Sequence, residues 1–123
     1  MRKLAKTFKA MSDETRLRIL NILLERECCV CEVMQVLGIT QSRASRHLIV
    51  LCDAGFIKFR RQGLWAMYSI DWEGMNKGHT DLVSTVRESL MDNQTAISDK
   101  QKLLEAMKIG LCRSECAVAA FPE

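Results

Sequence analysis

No window of the 123-residue sequence comes near the run of apolar residues that a membrane span requires. The start, Met1-Arg2-Lys3-Leu4-Ala5-Lys6, carries charge with no apolar stretch behind it, so no targeting segment is expected. The expectation is a soluble, cytoplasmic protein with no membrane partner. Internal repeats, linkers and low-complexity stretches are also lacking, and a chain of this length can bury one core but not two, so residues 1–123 are expected to form one domain. Catalytic signatures are missing too. There is no Cys-x-x-Cys in a βαβ context, no glycine loop to cradle phosphate and no Cys/His/acid set, which argues against an enzyme, a thiol oxidoreductase included. Charge of one sign is in small excess only, 18 Lys and Arg against 15 Asp and Glu. Composition therefore identifies no nucleic-acid binder, and what matters is where the basic residues gather.

The pattern along the chain is mostly helical. Leu4, Phe8 and Met11 share a stripe that predicts a helix over about 3–11, and Ser12-Asp13 offers capping side chains for the next. From Glu14 to Arg26, Leu17, Ile19, Leu20, Leu23 and Leu24 repeat at helical spacing. Glu32 to Leu37 reads as a third helix stopped by Gly38, and Thr40 then caps a fourth over about 41–54, stopped by Gly55. Beyond it the period changes to two. Ile57 and Phe59 alternate with Lys58 and Arg60, and Trp65 to Ile70 is rich in strand formers, so a β-hairpin with a basic tip is expected over about 56–70. Leu82, Val83, Val86 and Leu90, then Ile97, Leu103, Leu104 and Met107, predict closing helices over about 79–109, with a flexible tail over about 110–123.

Helix, tight turn, helix and basic hairpin in this order form a winged helix-turn-helix. Its second helix needs one apolar side toward the core and one short, hydrogen-bonding side toward base edges. Ala44, Leu48 and Leu51 supply the first; Ser42, Ser45 and Arg46, with Thr40, Gln41, Arg43 and His47 around them, supply the second. Lys58, Arg60 and Arg61 add a phosphate or minor-groove contact from the hairpin. Taken singly, these residues read equally as a solvated face; together they point to double-stranded DNA. Two-fold copies would read half-sites roughly 34 Å apart, which predicts a homodimer. Leu82, Val86 and Leu90 are the candidate seam, the alternative being internal core.

Three of the six cysteines, Cys28, Cys29 and Cys31, fall within four residues between the second and third helices. In a reducing compartment clustered thiols are more often metal ligands or redox sensors than structural disulfides. Thiolate suits soft ions: zinc, copper(I), cadmium, lead, and trivalent arsenic or antimony. Positions i and i+2 do not face each other on a helix, so Cys29 and Cys31 cannot grip one ion if both are helical. Binding is then expected to unwind the start of the third helix beside the DNA-reading helix. Buried hydrophobes and a redox pair are the competing readings of the cluster, and Cys52 reads as core. Cys112 and Cys116, at i and i+4, form either a further thiol pair or an unused tail.

Ser12-Asp13-Glu14-Thr15-Arg16-Leu17-Arg18-Ile19-Leu20, Gln41-Ser42-Arg43-Ala44-Ser45-Arg46-His47-Leu48 and Arg60-Arg61-Gln62-Gly63 resemble the ArsR/SmtB family of metal-sensing repressors over nearly the whole chain. The one departure in these motifs is Glu14, where many members have proline. The resemblance implies a homodimer built on the first and C-terminal helices, bound to a palindromic operator with no resident cofactor, and released from it when an inducer binds. Cys29-Val30-Cys31 resembles the Cys-Val-Cys motif of arsenite-responsive members, implying arsenite or antimonite as inducer. Many of those have a third cysteine where this chain has Met34, so Cys28, or else Cys112 or Cys116, is the candidate third ligand. Cadmium- and lead-responsive relatives share the motif but recruit cysteines from an N-terminal extension, which this sequence does not show. Zinc-responsive relatives use His and carboxylate pairs on the C-terminal helix; His79 and Asp81 have no second histidine downstream, and His79 is expected to be a surface residue.

Overall fold

Capping residues set the first boundaries. A computed structural model describes the backbone of residues 1–109 and the side chains of residues 1–106. Helix α1 (Arg2–Ala10) ends at Met11, and Asp13 starts α2 (Glu14–Leu23) by accepting a hydrogen bond from Arg16 N at 3.1 Å. Strand β1 (Cys28–Cys29) leads directly into α3 (Val30–Leu37), which Gly38 stops in the left-handed region at φ 68°. Only glycine takes that conformation without strain, so the turn into the next helix depends on it. Thr40 then caps α4 (Gln41–Asp53), its hydroxyl accepting from Arg43 N at 3.3 Å.

The chain next forms β2 (Ile57–Gln62) and β3 (Trp65–Ile70), an antiparallel hairpin turning through Gly63 at φ 63°. It closes with α5 (Lys77–Leu90) and α6 (Gln94–Ile109). The hairpin has a third strand that the sequence did not announce. β1 pairs antiparallel with β3, Cys28 opposite Tyr68 and Cys29 opposite Met67, giving the order β1-β3-β2. The third helix accordingly begins at Val30, two residues before the expected Glu32. The fold is thus a mostly helical winged helix-turn-helix in which the thiol-bearing segment is part of the wing sheet.

The core joins all these layers. Ile19, Leu20 and Ile22 of α2, Val33 and Val36 of α3, and Ala44, Leu48 and Leu51 of α4 are fully buried, with Phe56 beneath the hairpin and Val83 from α5. Helix α6 is pinned by charge as well as by Leu103: Arg18 of α2 donates from Nε and Nη2 to the fully buried Asp99, both at 2.9 Å. The expectation that His79 is a plain surface residue is corrected. Its Nε2 donates to Ala54 O at 2.8 Å, its Nδ1 lies 2.8 Å from Asn76 Oδ1, and its ring packs edge-on against Phe56. The imidazole thereby fastens the end of α4 to the start of α5.

Along α5, Leu82, Val86 and Leu90 are half-buried, whereas Val83 faces the core. Leu4 and Phe8 of α1 are more than half exposed, and with Leu82 they line an open groove of about 640 Å³ between α1 and α5. Among the described residues no helix is long and apolar enough to cross a membrane.

Candidate functional site

Two sets of residues carry the chemistry. The first is the polar face of α4. Thr40, Ser42, Arg43 and Arg46 are exposed and Gln41 and Ser45 half-buried, with Gln41 Nε2 donating to Ser45 Oγ at 2.9 Å. His47 is drawn inward. Arg16 Nη1 donates to His47 Nδ1 at 3.1 Å, while the same guanidinium donates to Ala10 O at 2.8 Å and Lys9 O at 3.1 Å. Burial, and then the Arg16, Arg43 and Arg46 charges, hold the His47 pKa below its ordinary value against the opposing pull of Asp13. The neutral ring that results is the form that can accept from Arg16.

The basic residues of β2 follow the strand's exposed stretch. Ile57 is buried, but Lys58, Arg60, Arg61 and Gln62 are all exposed. Lys58 Nζ lies 3.6 Å from Glu73 and 3.9 Å from Asp71, and Arg60 grips Glu27 with two hydrogen bonds of 2.8 and 2.6 Å.

The second set is the thiol segment. Cys28 is fully buried on β1, its Sγ donating to Arg26 O at 3.5 Å. Burial, reinforced by Glu32 and Glu27 and opposed by Arg26, pushes its pKa up to about 12, so this thiol keeps its proton at neutral pH. Cys29 is also fully buried and sits at the N-cap of α3 in extended conformation, φ −89° and ψ 171°. Cys31 is half-buried in the helix's first turn. The two cysteines do not share a helix: α3 begins between them, and only Cys31 lies inside it. Cys28, Cys31 and Cys52 are not in disulfides, whereas Cys29 is disulfide-bonded. Burial also pushes half-buried Cys52 up, to about 11. Cys112 and Cys116 lie outside the described residues. Among the described residues, no three His, Cys, Asp or Glu side chains are gathered closely enough to hold a metal ion.

Two residues that frame this segment, Glu32 and Arg26, were not singled out from the sequence. Glu32, 6% exposed, accepts from Cys29 N at 3.1 Å and from Arg26 Nη2 at 2.7 Å. Arg26 also donates to Glu27 O at 3.0 Å and to Leu103 O of α6 at 3.3 Å. The spacing of Glu32, three residues after the N-cap, is the legible signal, because a glutamate there reaches back to the N-cap amide.

The profile of the bacterial regulatory protein arsR family matches residues 13–58, from the cap of α2 to the start of the wing. The cadmium resistance transcriptional regulatory protein CadC homolog of Staphylococcus aureus is 44% identical over 70 residues, 56% of this chain and 58% of that protein. The arsenical resistance operon repressor of Bacillus subtilis is 38% identical over 77 residues, 62% of this chain and 73% of the repressor. Among solved structures, the homodimeric winged helix-turn-helix DNA-binding domain from Mycobacterium bovis superposes with a TM-score of 0.62 at 26% identity, covering 72% of this chain and 78% of that one. Matching motifs, matching architecture and identity over most of the Bacillus repressor agree: the chain belongs to the arsR family of bacterial regulatory proteins.

Proposed function

We propose that this chain is a homodimeric transcriptional repressor that holds a palindromic operator and releases it when trivalent arsenic or antimony binds its cysteine thiolates. The observation that carries the reading is the position of the thiols. Cys28 and Cys29 form a strand of the wing sheet, and Cys31 lies in the first turn of the helix that packs on α4. A ligand that joins these sulfurs acts on both DNA-facing elements at once. Arg43, Arg46, Ser42 and Ser45, with Thr40 and Gln41, meet the major groove, and Lys58, Arg60 and Arg61 meet phosphates or the minor groove. His47, tied to Arg16, lies at the edge of that face. The groove between α1 and α5 takes the second copy, a reading supported by the homodimeric neighbour.

Each arsenic–sulfur bond replaces one hydroxyl of arsenous acid and releases one water, with the thiol proton leaving in it. Three thiols release three waters. Cys29 and Cys31 supply two sulfurs, Cys29 after reduction. Cys28 becomes the third only if its strand turns the buried sulfur outward; otherwise Cys112 or Cys116 supplies it. No resident cofactor is needed. Because the linkage is reciprocal, bound DNA weakens the inducer by the same factor that the inducer weakens DNA.

The disulfide at Cys29 favours a second reading, a repressor whose signal is oxidation. There two thiols become one disulfide, and an oxidant such as diamide takes the two electrons and two protons. The test is fluorescence anisotropy of reduced protein on DNA from upstream of its own gene. One equivalent of arsenite should weaken binding about ten-fold or more, within the usual range of allosteric coupling, and C29S/C31S should abolish the effect. Release by diamide or by cadmium, with none by arsenite, overturns the choice of signal.

A further inference from the structure

The residue just before the thiol strand holds a wing cation. Arg60 donates to Glu27 from Nε at 2.8 Å and from Nη2 at 2.6 Å, the fork-on-carboxylate geometry of strong, directional ion pairs. The sheet brings together two residues 33 positions apart. Cys29 pairs with Met67, and Met67 pairs with Arg60, so one ladder runs from the thiol strand across β3 to the basic strand. Lys58, also on β2, meets carboxylates that lie beyond β3, Asp71 and Glu73. A guanidinium edge seated on a carboxylate in this way cannot offer the same two donors to a phosphate.

We infer that Glu27 is a positioning residue that competes with an operator phosphate for Arg60, so that the segment carrying Cys28 and Cys29 sets the wing's hold on DNA. The inference rests on the DNA-binding reading above and deepens it. Thiol ligation that draws Cys29 and Cys31 toward a common ion displaces β1, and Glu27 moves with it. The pair is closed in this structure, so the wing either forgoes one phosphate contact or breaks the pair to make it, and a shift of Glu27 changes that balance. The signal thus has a route through the sheet, separate from the packing of α3 on α4.

The test measures binding of the reduced full chain to the upstream DNA duplex, between about 50 and 200 mM salt, for wild type, E27Q, R60Q, E27Q/R60Q and E25Q. Glu25 pairs with Lys100 on the neighbouring helix, so E25Q removes the same charge without touching the clasp. E27Q should bind about three-fold tighter, the scale of an exposed ion pair. Its log–log salt slope should steepen by up to about 0.9, one additional phosphate contact. Neither E25Q nor E27Q in the R60Q background should show the gain, and arsenite should weaken E27Q and wild type by different factors. E27Q that binds like wild type or more weakly, or an equal gain without Arg60 or in E25Q, overturns the competition. An unchanged arsenite response in E27Q overturns the link to the thiols. If wild type itself does not bind the duplex, the proposed function falls; if it binds and is released while E27Q is silent, only this inference falls.

Discussion

Glu32 is where the thiol segment, α3 and α6 are tied together, and its removal has a calculable effect. The E32A substitution leaves the Cys29 amide, on a fully buried residue, without its 3.1 Å acceptor. An orphaned buried donor costs about 1–3 kcal/mol. Arg26 also loses its carboxylate. Breaking a fully buried pair costs about 3–5 kcal/mol, but the Arg26 side chain is 26% exposed and keeps the carbonyls of Glu27 and Leu103. Its share is therefore nearer about 1 kcal/mol. Together E32A should lose about 2–4 kcal/mol. E32Q keeps an oxygen for Cys29 N and sheds only the charge, so it should lose about 1 kcal/mol. Urea denaturation under reducing conditions, at matched protein concentration because association shifts apparent stability, reads both values. E32A within about 0.5 kcal/mol of wild type, or E32Q as damaging as E32A, would refute the assignment of Glu32 as cap and counter-ion.

Four further outcomes follow from the same physics. R18A strands the fully buried Asp99 carboxylate and should cost about 3 kcal/mol or more in urea denaturation, whereas E25Q, at an exposed pair, should cost about 1 kcal/mol or less. His47 is depressed in the folded state, so the unfolded chain binds more protons as pH falls below 6.5. Stability is fully present above 6.5 and declines through the window beneath it, down to the folded pKa; H47Q should flatten that part of the stability–pH profile, and an unchanged profile would contradict the Arg16 contact. Cys28, raised to about 12 from 9.0, gives stability that is fully present below pH 9 and lost as pH rises toward 12. Native alkylation followed by mass spectrometry should label half-buried Cys31 well before buried Cys28, and equal rates would contradict the buried strand.

What the sequence made legible is local. The spacing of Ala44, Leu48 and Leu51 identified the buried side of α4, and Gly38 and Thr40 marked the turn because left-handed backbone and N-cap acceptance belong to few residue types. Alternation from Ile57 to Arg60 announced the hairpin. β1 was not legible: two cysteines cannot show a period, and the strand exists only because Tyr68 and Met67, about forty residues on, supply its partner edge. The ion pairs that frame the site are equally non-local, Arg18 with Asp99 across 81 positions and Arg60 with Glu27 across 33. His79 looked like a surface residue because the Ala54 carbonyl and the Phe56 ring that hold it become its neighbours only after α5 docks. The thiol cluster was conspicuous in sequence, but its division between a strand and a helix start was not. That division makes the segment a sheet-to-helix joint.

The most direct measurement is an anaerobic titration of fully reduced, DNA-bound protein with arsenite, counting protected thiols and following DNA release in the same samples. The account predicts three thiols protected per subunit at one equivalent, DNA released in step, and both lost in C29S or C31S. Protection without release, or release with Cys29 and Cys31 still reactive, would contradict it.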